Sequence, residues 1–211
     1  MPFIWIINIA FAGIPLLIIF LKYKKNIKDF FSDPAKNKLG ILGMDAAGKT
    51  LFLCFLRGVP YHENMAKTAV NDEYKSFIFT TSSGDKINVD SGFDIPGMSD
   101  YRIKYHEIMD KSDMIFYFFD INRYFDEIDY QRECNSRFLY LNEYFEKKSE
   151  KKLLIFGSHL DKCKEDKNKV LENLRKLIRE KPYKGLIEKI TPINLTNKEE
   201  LIKITDLIFK K

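Results

Sequence analysis

The run Gly43-Met44-Asp45-Ala46-Ala47-Gly48-Lys49-Thr50 holds the residues whose types and spacing could do chemistry. Its pattern, G-x-x-x-x-G-K-T, belongs to loops that cradle phosphates. Glycines let the backbone curl until successive N–H groups point into one cavity. A lysine at Lys49 reaches the β- and γ-phosphates of a nucleotide, and a hydroxyl at Thr50 ligates Mg²⁺.

Three more segments carry polar groups where a phosphate loop needs them. Asp94-Ile95-Pro96-Gly97 follows a strand-like run. An Asp there holds Mg²⁺ through water, and the Gly97 N–H can meet a γ-phosphate, which separates triphosphate from diphosphate. Ser158-His159-Leu160-Asp161 follows the apolar run Leu153–Gly157. A carboxylate at Asp161 accepts from guanine N1–H and the N2 amine, a donor pair adenine lacks. The competing role for Asp161 is to cap the following helix. Asn194-Leu195-Thr196-Asn197 is a turn whose N–H groups, that of Thr196 among them, can touch guanine O6; Asn and Thr are also ordinary turn residues.

These segments need a scaffold that brings them to one edge. Strand-like runs lie at 38–43, 76–81, 86–93, 114–120, 152–157 and 189–194. Helical patterns lie at 49–57, 101–109, 125–147, 166–180 and 198–209. Alternation of the two kinds predicts an α/β domain with a mostly parallel sheet. Ser83-Gly84-Asp85 marks a hairpin, so one antiparallel strand is expected.

In its order of motifs the chain over about residues 38–210 resembles the small GTPases. The loop with Asp45, Ala46 and Ala47 looks most like the Arf branch. The resemblance implies a Ras-like phosphate-loop GTPase domain over 38–211, with six strands and five helices, GTP/GDP and Mg²⁺ as ligands, and an effector or receptor protein docked through the switch regions. It also implies that Thr68 in Lys67-Thr68-Ala69 ligates Mg²⁺ with Thr50 and Asp94. Two departures stand out. Ser158-His159 replaces the usual Asn-Lys of the base-selecting motif, as in the similar Thr-His-x-Asp of Roco-type GTPases, leaving base stacking to the His159 ring. Met98 stands where the family has a water-orienting glutamine, so the catalytic residue is unassigned and intrinsic hydrolysis is expected to be weak unless a partner assists. His106 and His62 are candidate substitutes.

Outside this domain, Pro2–Leu21 is free of charged residues, 20 in a row, and Lys22-Tyr23-Lys24-Lys25 follows. That length spans about 30 Å of hydrocarbon as a helix. The expectation is a transmembrane helix over 2–21, a basic linker over 22–37 containing Asp33-Pro34, and a cytosolic C-terminal domain. The membrane would be the endoplasmic reticulum in a eukaryote or the inner membrane in a bacterium. A signal peptide would need a basic start, which is missing, and a core helix would be unusually long. An anchor ahead of an Arf-like domain also resembles the beta subunits of the signal-recognition-particle receptor, which implies GTP held as a structural ligand while a partner docks.

Composition narrows the rest. Net charge is +5, and six basic residues lie between Lys22 and Lys38. The remainder is nearly balanced, with no basic stripe or aromatic–basic motif for nucleic acid. Cys54, Cys134 and Cys163 have no metal-ligand spacing and read as free thiols in a reducing compartment. A kinase or ATPase on the same loop would need a second substrate site and lid arginines. Arg132 and Arg137 are the only visible candidates, and both read as residues of a solvated helix face.

Overall fold

The computed structural model describes residues 38–62, 72–84, 86–94, 101–148 and 150–209. Seven strands form one sheet: β1 (Lys38–Gly43), β2 (Asp72–Tyr74), β3 (Phe77–Thr80), β4 (Lys86–Asp94), β5 (Met114–Asp120), β6 (Lys152–Ser158) and β7 (Ile190–Pro192). Their order is β2-β4-β1-β5-β6-β7, with β3 also on β4. Pairs β4–β1, β1–β5, β5–β6 and β6–β7 are parallel, whereas β2 and β3 run antiparallel to β4. Among the described residues six α-helices accompany them: α1 (Lys49–Arg57), α2 (Tyr101–Lys111), α3 (Ile121–Asp126), α4 (Ile128–Lys147), α5 (Lys167–Ile178) and α6 (Lys198–Phe209).

β5 is why the sheet has two faces to cover. Every residue of Met114–Asp120 is buried, and successive side chains point to opposite faces. Phe116 and Phe118 meet Phe52 of α1 at ring distances of 5.8 and 5.2 Å. On the other face Tyr117 and Phe119 meet Phe138 of α4 at 5.9 and 5.2 Å. A strand buried on both faces reads as a continuous apolar run, as this one does.

Two expected counts change. Among the described residues the sheet has seven strands, not six, because a short unexpected strand, β2, precedes the one expected at 76–81, separated from it at Lys75–Ser76. Both keep one register on β4, Tyr74 opposite Gly92 and Phe77 opposite Val89. The gap coincides with the point where β4 shifts register against β1, between Lys38↔Asp90 and Gly40↔Phe93. A bulge of that kind bends the strand and interrupts its ladder. The helix expected over 125–147 is also two, α3 and α4, broken at Glu127, where φ is −119° and ψ 109°. Asp120 caps α3 by accepting from the Arg123 N–H at 3.0 Å. Tyr130 accepts from the Asp120 N–H at 2.7 Å and Gln131 donates to the Tyr124 carbonyl at 3.1 Å, folding α4 back over α3.

The single-pass membrane localisation is corrected as well. No helix among the described residues is long and apolar enough to cross a membrane. Residues 2–21 and 22–37, on which that expectation rested, lie outside the described residues.

Candidate functional site

β1 ends at Gly43, and there the chain must turn sharply beside β5. Met44 N–H donates to the Phe118 carbonyl at 2.8 Å. A Cβ on Gly43 would stand 2.1 Å from that carbonyl oxygen, and φ is +147°. Only glycine fits so close to a neighbouring backbone. Ala46 follows at φ 54°, a left-handed conformation unusual for alanine. Gly48, at φ 80°, then leads into α1 without a side-chain cap. The first turn of a helix presents N–H groups and the positive end of its dipole, a natural seat for an anion. Lys49 is buried and donates from Nζ to the Met44 carbonyl at 2.7 Å and the Gly43 carbonyl at 3.5 Å. Its ammonium therefore rests inside the loop it would serve. Thr50 is half-buried on the first turn of α1, and Asp45 is exposed at the loop tip.

The other expected segments converge on the same edge. Parallel register sets Gly43 beside Phe118, Phe118 beside Phe156, and Phe156 beside Thr191. All three loops thus leave the C-terminal ends of parallel strands, where ligands of open α/β sheets bind. Ile193 N–H donates to the Gly157 carbonyl at 2.8 Å, tying the 158–161 loop to the 194–197 loop. A Cβ on Gly48 would lie 2.2 Å from Leu195 Cδ1, so the last loop leans directly on the phosphate loop. Asp94 ends β4 opposite Ile41, two residues short of Gly43. Thr68, Gly97 and Met98 lie outside the described residues.

The base-selecting segment has an internal hydrogen-bond logic. Ser158 is fully buried and donates its hydroxyl proton to the Phe119 carbonyl at 3.1 Å. Its oxygen is then free to accept from His159 Nδ1 at 3.0 Å, and Asp120 Oδ2 accepts from the same nitrogen at 3.1 Å. That assigns the neutral tautomer with the proton on Nδ1. Burial pulls the His159 pKa below its ordinary 6.5, and the attraction of Asp120 does not reverse it. His159 itself sits at φ 58°, which turns the chain so that Asp161 follows on a short 3-10 turn, exposed. The capping alternative for Asp161 falls away: Asp166 caps α5, accepting from the Asn168 and Lys169 N–H groups at 2.9 and 3.1 Å. Thr196 N–H is engaged by Asn194 Oδ1 at 2.9 Å, so any contact to a base oxygen must share that donor.

Of three basic residues, two fall differently from expectation. His106 faces α4, with Nδ1 3.2 Å from the Tyr140 hydroxyl and Nε2 3.4 Å from Asp110, and does not face the phosphate loop. Arg132 is on a solvated face, paired with Asp129. Arg137 is not: it is fully buried and donates to the Gly43 carbonyl at 3.2 Å. Its position was readable, because the buried residues of α4 run 130, 134, 137, 138, 141, 144 and 145, an apolar stripe of helical period with Arg137 inside it. His62 is exposed. Among the described residues no cluster of His, Cys, Asp and Glu could hold a metal ion by itself.

No protein-family model matches the chain, and no curated protein matches its sequence. A chain from the structure of the mammalian SRP receptor is similar in fold, with a TM-score of 0.53 at 16% identity, covering 81% of this chain and 99% of that one. The described residues therefore share the fold of that chain, at a low sequence identity.

Proposed function

We propose that this chain binds guanine nucleotide and acts as a GTP/GDP switch with slow intrinsic hydrolysis. The observation that carries the reading is the meeting of three loops at one sheet edge. Gly48 opens α1 without a side-chain cap, Leu195 leans on it, and the Ser158–Asp161 segment hangs from the same pair of strands.

The residues suit the ligand. The backbone of Gly43–Thr50 would cradle phosphates, and Lys49, already turned into the loop, would move from the Met44 carbonyl to phosphate oxygens. Asp161, exposed and not used as a cap, would accept from guanine N1–H and N2. His159, its nitrogen held by Asp120 and Ser158, would present its ring to the base. The Thr50 hydroxyl fits a Mg²⁺ companion by its place on the first helical turn; Asp94 at the end of β4 and Thr68 would complete the donor set. Bound there, the ion would neutralise β- and γ-phosphate charge. Asp94–Gly97 and the segment around Thr68 would report the γ-phosphate to a protein partner.

Met98 favours a second reading, a receptor-like module that keeps GTP as a structural ligand while a partner docks. Methionine can neither accept the attacking water's proton nor hold it in line. Chromatography of the nucleotide released from freshly purified, denatured protein tests both. Bound GDP supports a cycling switch and retained GTP supports the receptor-like module. Displacement of a fluorescent GDP analogue by ATP as readily as by GTP would remove the guanine assignment altogether.

A further inference from the structure

The Gly43 carbonyl receives donors from three elements. Tyr105 Oη of α2 donates at 2.9 Å, Arg137 Nη1 of α4 at 3.2 Å, and Lys49 Nζ of α1 at 3.5 Å. Gly43 N–H returns a bond to the Tyr105 hydroxyl at 3.1 Å, and Arg137 Nη1 lies 2.9 Å from the same oxygen. A phenol has one proton and two lone pairs. Here the proton goes to the Gly43 carbonyl and the lone pairs accept from Gly43 N–H and Arg137, so the hydroxyl is saturated and its direction fixed.

Both side chains are fully buried. Burial opposes the Arg137 charge, yet Tyr105, Tyr117 and Glu133 outweigh it and hold the guanidinium protonated. A buried cation and phenol cannot leave such partners cheaply. The far end of α2 is fixed too. Lys151 donates to the Met109, Asp110 and Ser112 carbonyls at 2.6 to 2.8 Å, and Tyr144 donates to Asp110 at 2.6 Å. Movement of the end of α2 that follows Asp94–Gly97 must therefore pivot about this anchor and pull on Tyr105.

We propose that Tyr105 and Arg137 are positioning residues that tie the helix after Asp94-Ile95-Pro96-Gly97 to the first residue of the phosphate loop. Filling the loop and seating α2 become one coupled equilibrium. Lys49 shares the clamped carbonyl, so its resting point depends on the same contacts. This rests on the reading of Gly43–Thr50 as the nucleotide loop.

The test is the dissociation rate of N-methylanthraniloyl-GDP from the full chain, for wild type, Tyr105→Phe, Arg137→Met and the double variant. Leu174→Ala, a buried truncation on α5, serves as a stability control. Tyr105→Phe removes only the hydroxyl and should speed release about tenfold, as expected for one buried hydrogen-bonded group. The double variant should be little faster than either single one, because both act through one carbonyl. Leu174→Ala should melt earlier with an unchanged release rate. An unchanged rate in Tyr105→Phe, or additive effects in the double variant, overturns the coupling. If Arg137→Met does not fold, Tyr105→Phe against Leu174→Ala still decides. A wild-type chain that binds no analogue fails earlier, at the reading of the loop.

Discussion

Gly43→Ala should be among the most damaging single-methyl additions in this domain, and the structure gives its size. The new Cβ would meet Phe118 O at 2.1 Å and Phe118 N at 2.7 Å, both backbone atoms of the central strand β5. Nothing flexible is there to yield. Overpacking against a rigid wall costs about 1–3 kcal/mol, and a non-glycine residue in a sparsely populated conformation costs about 1–3 kcal/mol more. The sum is about 4 kcal/mol, a large share of the roughly 5–15 kcal/mol that holds a domain together. Gly48→Ala is the internal comparison. Its φ is also positive, but its Cβ would meet only Leu195 Cδ1, the end of a movable side chain. That variant should lose about 1–2 kcal/mol. Urea denaturation of the full chain, followed by far-UV circular dichroism, reads both. With a slope of about 2 kcal/mol/M, the Gly43 variant should unfold about 2 M earlier than wild type. Midpoints of the two variants that coincide would refute the claim that the phosphate loop is wedged against β5.

Other outcomes follow from single residues. Lys49→Met should change stability by no more than about 1 kcal/mol, since its ammonium bonds to loop carbonyls, while a titration with fluorescent GDP analogue should show affinity reduced at least about a hundredfold. His159 has a folded pKa below its ordinary 6.5 because it is buried. The unfolded chain then binds more protons, so stability is complete above pH 6.5 and falls as pH drops toward the folded value. Melting temperature should decline more between pH 7.5 and 5.5 for wild type than for His159→Gln, and equal declines would exclude His159 as the cause. Intrinsic hydrolysis should be on the order of 10⁻⁴ s⁻¹ in single turnover. Met98→Gln should raise it, and an unchanged rate would mean that more than a glutamine is missing.

Much of the scaffold was legible because its signals are local. Met114–Phe119 is an unbroken apolar run, which only a doubly buried strand or core helix tolerates, and its six-residue length favours the strand. Gly43 and Gly48 announced a curled loop before a helix, and both adopt backbone conformations that glycine favours. What escaped depends on contacts distant in sequence or on competing local signals. Nothing near Glu127 is a helix breaker; the break comes from Tyr130 and Gln131 reaching back over α3. Arg137 was read by its charge rather than by its place on the stripe, so the cation behind Gly43 was assigned to solvent. The base-selecting loop hid a partner in the same way: Asp120, at the end of another strand, fixes His159 across a parallel pairing, Asp120 opposite Ser158, that the sequence does not state. A charge-free run and the lysines after it carried the membrane span, and no described helix supports one.

The guanine assignment of Asp161 is the claim on which the account turns, and competition binding on Asp161→Asn tests it most directly. Wild type should release a fluorescent GDP analogue to unlabelled GDP but not to ADP or xanthosine diphosphate. In the variant, the amide reverses one hydrogen-bond role, donating where the carboxylate accepted from the N2 amine. Xanthine carries an oxygen there. GDP should then weaken by about a hundredfold, the loss expected for a pair of hydrogen bonds to a charged group, while xanthosine diphosphate becomes the better competitor. Equal competition by ADP and GDP in wild type, or an unchanged preference for GDP in Asp161→Asn, would contradict it.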